Sequence, residues 1–119
     1  MPAYEVEHIV PLTSIQQDAL AEAITAIHSS KFSTPRLFVN VRFSNIESQP
    51  TYVAGKRKKA NRIFAYVRHG PSRSQADYDA VSGELTKAWE KVVPGSELRL
   101  IMYYGGFLLS FVAGCSTVL

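Results

Sequence analysis

Along residues 3 to 10 the chain alternates, with Tyr4, Val6, His8 and Val10 on one side and Ala3, Glu5 and Glu7 on the other. A period of two is that of a half-buried strand, and Pro2 suits its head because proline is tolerated at the first residue of a strand. Pro11-Leu12-Thr13-Ser14 breaks the alternation, and Ser14 followed by Gln17 has the spacing of a capping box. The period then lengthens: Ile15, Ala19, Leu20, Ala23, Ile24 and Ile27 form an apolar stripe at helical spacing, predicting a helix that fades at Ser29-Ser30. Leu37 to Phe43, after Pro35, is rich in β-forming residues and reads as a second strand.

The order then recurs. Ile63 to His69 reads as a strand and Gly70-Pro71-Ser72 as a turn. Ser72 with Gln75, or Ser74 with Asp77, offers a helix cap. Tyr78, Val81, Leu85, Trp89 and Val92 supply a second stripe, Pro94-Gly95 stops it, and Glu97 to Tyr104 is a last strand. The prediction is one α/β domain over 1–119. Two fused β-α-β units (2–44 and 62–105, linker 45–61) would form a four-stranded mixed sheet with both helices on one face. The other face is expected to be apolar and uncovered, a physical reason for self-association. Within the linker, the stretch Thr51 to Gly55 could add a short edge strand.

Composition bounds the rest. Hydrophobic residues make up 46% of 119, enough for one packed core. The net charge of +3 comes largely from Lys56-Arg57-Lys58-Lys59. No aromatic platform or nucleic-acid motif accompanies that run, so it reads as a solvated loop and no nucleic acid is expected as partner. Leu98 to Ala113 is the most apolar stretch, but Arg99 and Gly105-Gly106 interrupt it. It is too short for a membrane span and reads as a buried strand, a turn and a packing segment. The single Cys115 can form no internal disulfide. The first residues lack the basic, then apolar, order of a signal peptide, so a cytoplasmic location is expected.

Pro2 is the first candidate for chemistry. If Met1 is removed, its nitrogen is a free secondary amine at a fixed place, and burial or a nearby cation would lower its pKa toward that of a useful base. The plain alternative is a proline that merely opens a strand. His28, in line with Leu20 and Ile24 on one helical ridge, is either a satisfied core histidine or a site group. Arg73, in the turn entering the second helix, is either an exposed cap-region arginine or an anion clamp. In the second case unpaired backbone N–H groups and the helix dipole would add to its forked guanidinium. His8 and His69 have no partner at motif spacing and receive no role, and no phosphate loop, nucleophile elbow or metal motif is present.

The element order resembles the tautomerase superfamily, in particular the branch around cis-3-chloroacrylic acid dehalogenase and its fungal relatives. The supporting residues are Met1-Pro-Ala-Tyr4, Ala21-Glu-Ala-Ile-Thr-Ala-Ile-His28, Ile63-Phe64, Arg73-Ser74 and Tyr103-Tyr104-Gly105. The resemblance covers nearly the whole chain. It implies an enzyme without cofactor or metal that moves a proton beside a carbonyl of a small 2-keto or 2-hydroxy unsaturated carboxylic acid. It also implies a homotrimer with sites near subunit boundaries. Pro2 matches the family's catalytic proline, His28 an assisting histidine, Arg73 a carboxylate-binding arginine and Tyr103 a donor on the final strand. Three departures stand beside these matches. A second arginine of that branch falls on Gly70, with Arg68 as a substitute whose strand position aims it differently. The branch's water-activating glutamate falls near Gly114, and no Asp or Glu follows Glu97. The tail from Cys115 to Leu119 is unlike the branch's C-terminus. Hydratase and dehalogenase activities lose support on this ground. A decarboxylase, or a non-catalytic binding module using Lys56 to Lys59, stays open.

Overall fold

The computed structural model describes residues 2–104 and 108–111. The sheet begins with β1 (Ala3–His8), whose buried residues are Tyr4, Val6 and His8, as the alternation requires. The strand is shorter than expected at its end. His8 Nδ1 donates to the Val10 carbonyl at 2.7 Å, and the Ile9 N–H turns to the Asn61 side chain at 2.8 Å. Helix α1 (Ser14–Phe32) is capped by Thr13 with Gln16, one residue before the expected Ser14 and Gln17. Of its predicted stripe, Leu20 and Ile24 are buried and Ile27 partly so, whereas Ile15 is 80% exposed because it lies in the first turn beyond the sheet. The helix runs past Ser29-Ser30 to Phe32. It ends on Ser33 in the left-handed region (φ 52°), with Ser29 Oγ donating to the Thr34 carbonyl.

The segment expected as one strand from Leu37 divides in two. Pro35 opens a 3-10 turn (Arg36–Phe38), its carbonyl accepting from the Phe38 N–H, and β2 (Asn40–Asn45) follows. The linker does not extend the main sheet. β3 (Tyr52–Val53) and β4 (Lys56–Arg57) make a separate two-stranded hairpin that carries the first half of the basic run, exposed, with the Arg57 guanidinium 5.2 Å from the Tyr52 ring centroid. β5 (Asn61–Tyr66), α2 (Gln75–Val92) and β6 (Leu98–Tyr104) complete the second unit. Ser74 with Asp77 is the cap that forms, and Gly95 at φ 82° lets the chain turn after Pro94.

Pairing follows the predicted mixed pattern. β1 and β2 are parallel, β5 and β6 are parallel, and β1 joins β5 antiparallel at the centre. A fifth strand, β7 (Leu108–Phe111), pairs antiparallel with β6, giving the order β2-β1-β5-β6-β7. The Gly105-Gly106 turn and the tail with Gly114 and Cys115 lie outside the described residues. One core fills the space between sheet and helices, with Tyr4, Val6, Ile63, Leu100 and Met102 against Leu20, Ile24, Tyr78, Leu85 and Trp89. Each such fully buried side chain contributes roughly 1.5–3 kcal/mol.

The uncovered sheet face is not the apolar surface expected. Parallel register places Arg62 beside Arg99, with Glu7 opposite Arg62, and Arg42 beside Glu5. Glu5 and Arg42 form an ion pair, and Glu7 lies 3.8 Å from Arg62. Only the other end of the face is aromatic, where Tyr66 and Tyr103 stack with centroids 5.0 Å apart and Phe64 stacks on Tyr103 at 6.5 Å. Strand alternation thus puts charged residues at one end of the face that the helices leave uncovered and aromatic residues at the other.

Candidate active site

The head of β1, the last turns of α1 and the turn entering α2 meet at one end of the sheet. They enclose a cavity of about 350 Å³ lined by Pro2, His28, Phe32, Phe38, Arg68 and Arg73, among others. Pro2 is held there by its carbonyl, which accepts from the Asn40 N–H at 3.1 Å and ties the strand head to the start of β2.

His28 reaches the cavity because it occupies the buried ridge of α1, two turns beyond Leu20 and one beyond Ile24. Its Nδ1 lies 2.7 Å from the Tyr4 hydroxyl, and its ring meets Phe32 edge-on at 5.0 Å. Burial first, and the nearby Arg73 cation second, lower its pKa from the usual 6.5 to about 4, so the ring is neutral at pH 7. Burial also raises the Tyr4 phenol well above its ordinary value, so it keeps its proton.

Arg73 is fixed on three sides. Its backbone N–H bonds the Gly70 carbonyl at 3.0 Å, Nη1 donates to the Arg68 carbonyl at 2.8 Å, and the guanidinium carbon lies 4.1 Å from the Phe32 centroid. The Arg68 carbonyl also accepts from the Tyr78 hydroxyl at 3.0 Å, which ties this turn to α2. The remaining N–H donors of the Arg73 fork are left for a ligand. Among the described residues, neither Arg68 nor Arg73 forms an ion pair.

A capping box takes up part of the α2 N-terminus beside this clamp. Ser74 Oγ accepts from the Asp77 N–H, the Asp77 carboxylate accepts from the Ser74 N–H, and that carboxylate lies 3.5 Å from Lys31. The Ser74 backbone bond is the first cause holding the Asp77 carboxyl below its usual range. The Ser74 and Asp77 amides are therefore taken, and the Arg73 guanidinium is the charged donor that lines the cavity.

The structure thus brings Pro2, His28 and Arg73 together and leaves Tyr103 apart. Met102 faces the core and Tyr103 faces the opposite side of the sheet, stacked on Tyr66. Sequence reasoning missed Tyr4 as the partner of His28, and Phe32 as the shelf under Arg73. The second had a signal: Phe32 stands four residues after His28, one turn on along the same ridge. Among the described residues, no three His, Cys, Asp or Glu side chains come together to hold a metal, and no helix is long and apolar enough to cross a membrane.

A doubled β-α-β sheet of this topology is the architecture of the tautomerase class. The family model described as "Putative oxalocrotonate tautomerase enzyme" matches residues 1–98, and the chain belongs to that family. Among solved structures it is similar to N1, a member of the cis-3-chloroacrylic acid dehalogenase family, at 19% identity and TM-score 0.73, covering 87% of this chain and 75% of that one. It is also similar to a fused wild-type 4-OT described as an asymmetric trimer, at 17% identity and TM-score 0.71, covering 87% and 86%. MIF2 of Leishmania major aligns at 17% identity and TM-score 0.69, covering 88% and 89%. No curated protein sequence matches the chain significantly.

Proposed function

We propose that the protein is a cofactor-independent tautomerase acting on a small unsaturated 2-keto or 2-hydroxy carboxylic acid, with Pro2 as its general base. The observation that carries this reading is the convergence of Pro2, His28 and Arg73 on one cavity. With Met1 removed, the Pro2 nitrogen is a secondary amine, and the Arg73 cation beside it favours the unprotonated, basic form. Arg73 holds the substrate carboxylate. The Pro2 nitrogen takes the proton of the enol hydroxyl. The C–O bond becomes the keto carbonyl, the enol double bond moves its electrons to the neighbouring carbon, and that carbon takes a proton back from the Pro2 ammonium. His28 stabilises the oxygen on which charge develops. The stretch from Leu98 to Leu119 carries no Asp or Glu and so lends no support to activation of water for hydration or dehalogenation. Decarboxylation, which does not need that step, is the second reading.

The protein is further proposed to act as a homotrimer. The likeness to fused 4-OT structures described as trimers supports this, and the exposed Tyr66 on the uncovered face offers apolar surface for such a contact. Tyr103, which faces away from the cavity of its own chain, would serve either that contact or a neighbour's site. The test is ketonisation of phenylenolpyruvate by native protein, with Met1 removal verified by intact mass, against Pro2→Ala. Loss of most of the rate is expected, with some retained by the alanine primary amine. Full activity in a natively folded Pro2→Ala protein would remove Pro2 from the mechanism.

A further inference from the structure

The cavity presents a histidine whose protonation pattern follows from a residue outside it. We propose that Tyr4 is a positioning residue: its hydroxyl donates to His28 Nδ1 and fixes the neutral ring with its hydrogen on Nε2, so that His28 offers the cavity a hydrogen-bond donor and not a base. The inference deepens the tautomerase reading of this site and rests on it for the consequence to catalysis.

Geometry and hydrogen-bond accounting carry it. Tyr4 and His28 are each only 1% exposed, and Tyr4 Oη stands 2.7 Å from Nδ1. A short bond between two neutral groups has one donor. If Nδ1–H were that donor, the phenol hydrogen would need a second acceptor, and the Tyr4 hydroxyl bonds nothing else among the described residues. A buried, unmet O–H is costly. With the phenol donating, both atoms are satisfied and the ring hydrogen must sit on Nε2. Nε2 has no partner among the described residues, and the ring lines the cavity beside Pro2 and Arg73.

The surroundings keep the ring neutral. From α1 it meets Phe32, from β1 Tyr4, and from the turn before α2 the Arg73 cation; no carboxylate contributes to its titration. An imidazolium would have a cation beside it and would lose Nδ1 as an acceptor for Tyr4. The fixed tautomer is therefore the form that meets a substrate at neutral pH. An Nε2–H aimed at an oxygen gaining negative charge stabilises that charge without any proton leaving the ring, and leaves the basic role to Pro2. The closed position at Nδ1 also stops the ring flipping to offer a lone pair to the substrate.

The experiment uses full-length protein with ¹⁵N-labelled histidine and reads long-range ¹H–¹⁵N ring correlations at pH 7, together with phenylenolpyruvate kinetics. Native His28 is expected as a single Nε2–H tautomer with Nδ1 in a hydrogen-bonded acceptor state. Tyr4→Phe, which keeps the ring packing, should show mixed tautomers. Its kcat should fall about 10-fold with KM within about twofold, the pattern of an orienting partner lost outside direct contact. An Nδ1–H tautomer in the native protein, or an unchanged tautomer in Tyr4→Phe, overturns the proposal. If Tyr4→Phe fails to fold, the native spectrum alone decides. If the native protein does not ketonise phenylenolpyruvate, the substrate reading fails while the ring spectra still sustain or overturn the role of Tyr4.

Discussion

A β-carbon on Gly70 would sit 3.4 Å from Nη1 of Arg68 and 3.8 Å from its guanidinium carbon. The Arg68 side chain thus lies against the position where the dehalogenase branch carries a second arginine, and it lines the same cavity as Arg73. Its expected strand-like aim does not apply, because β5 ends at Tyr66 and Arg68 lies in the irregular connection before α2. We predict that Arg68→Ala raises KM for a carboxylate substrate about 10-fold with little change in kcat, the mark of lost uniform binding. Steady-state kinetics check this; an unchanged KM would mean that Arg73 alone holds the carboxylate.

The doubled unit was legible because its periods were clean: Tyr4, Val6 and His8 on β1, and Tyr78, Val81, Leu85 and Trp89 on α2 are all buried as read. Boundaries failed where side chains compete with the backbone. Thr13 displaced Ser14 as cap because Gln16, not Gln17, reaches back to it, and Pro35 gave Leu37 and Phe38 to a 3-10 turn. The site residues on one ridge or turn were also legible. The Tyr4–His28 bond was not, since it joins two elements at a register that no local pattern encodes. The charge on the uncovered face was legible too, since alternation alone turns Glu5, Glu7, Arg62 and Arg99 away from the buried Tyr4, Val6, Ile63 and Leu100; only the pairing of Arg62 beside Arg99 needed the register.

The hairpin between β3 and β4 turns through Ala54 and Gly55, both at positive φ (53° and 78°). Two positive values are the requirement of the two-residue turn that matches strand twist, and alanine meets it at a cost that asparagine or glycine avoids. Ala54→Asn should therefore raise stability by about 0.5–1 kcal/mol. A urea midpoint equal to or below that of the native protein would count against this backbone.

The aromatic end of the uncovered face should govern self-association. Tyr66 is 41% exposed yet stacked nearly parallel on Tyr103. A carboxylate placed there would need desolvation in any assembly that covers it. Tyr66→Glu is expected to move the light-scattering mass toward the 13.2 kDa single chain while leaving the far-ultraviolet circular dichroism unchanged. An unaltered assembly would place the interface elsewhere.

The buried neutral His28 should also shape acid stability. In the unfolded chain its pKa is near 6.5, and in the folded protein burial and Arg73 hold it at about 4. Between those values the unfolded state binds a proton that the native state does not, so stability rises with pH across the window. Going down in pH, the loss begins near 6.5, grows until about 4, and then levels, with a total on the order of 3 kcal/mol. The sign is opposite to that of a histidine paired with a carboxylate, which would gain stability on acidification. His28→Gln keeps a polar group near Tyr4 without a titrating ring. Its absolute stability at pH 7 will fall for packing reasons, so the informative quantity is the slope. Urea midpoints from pH 7 to 4.5 should decline distinctly less in the variant than in the native protein. Parallel declines would show that His28 accepts its proton in the folded protein as readily as outside it, and that the cavity wall is wetter than the Tyr4, Phe32 and Arg73 contacts make it.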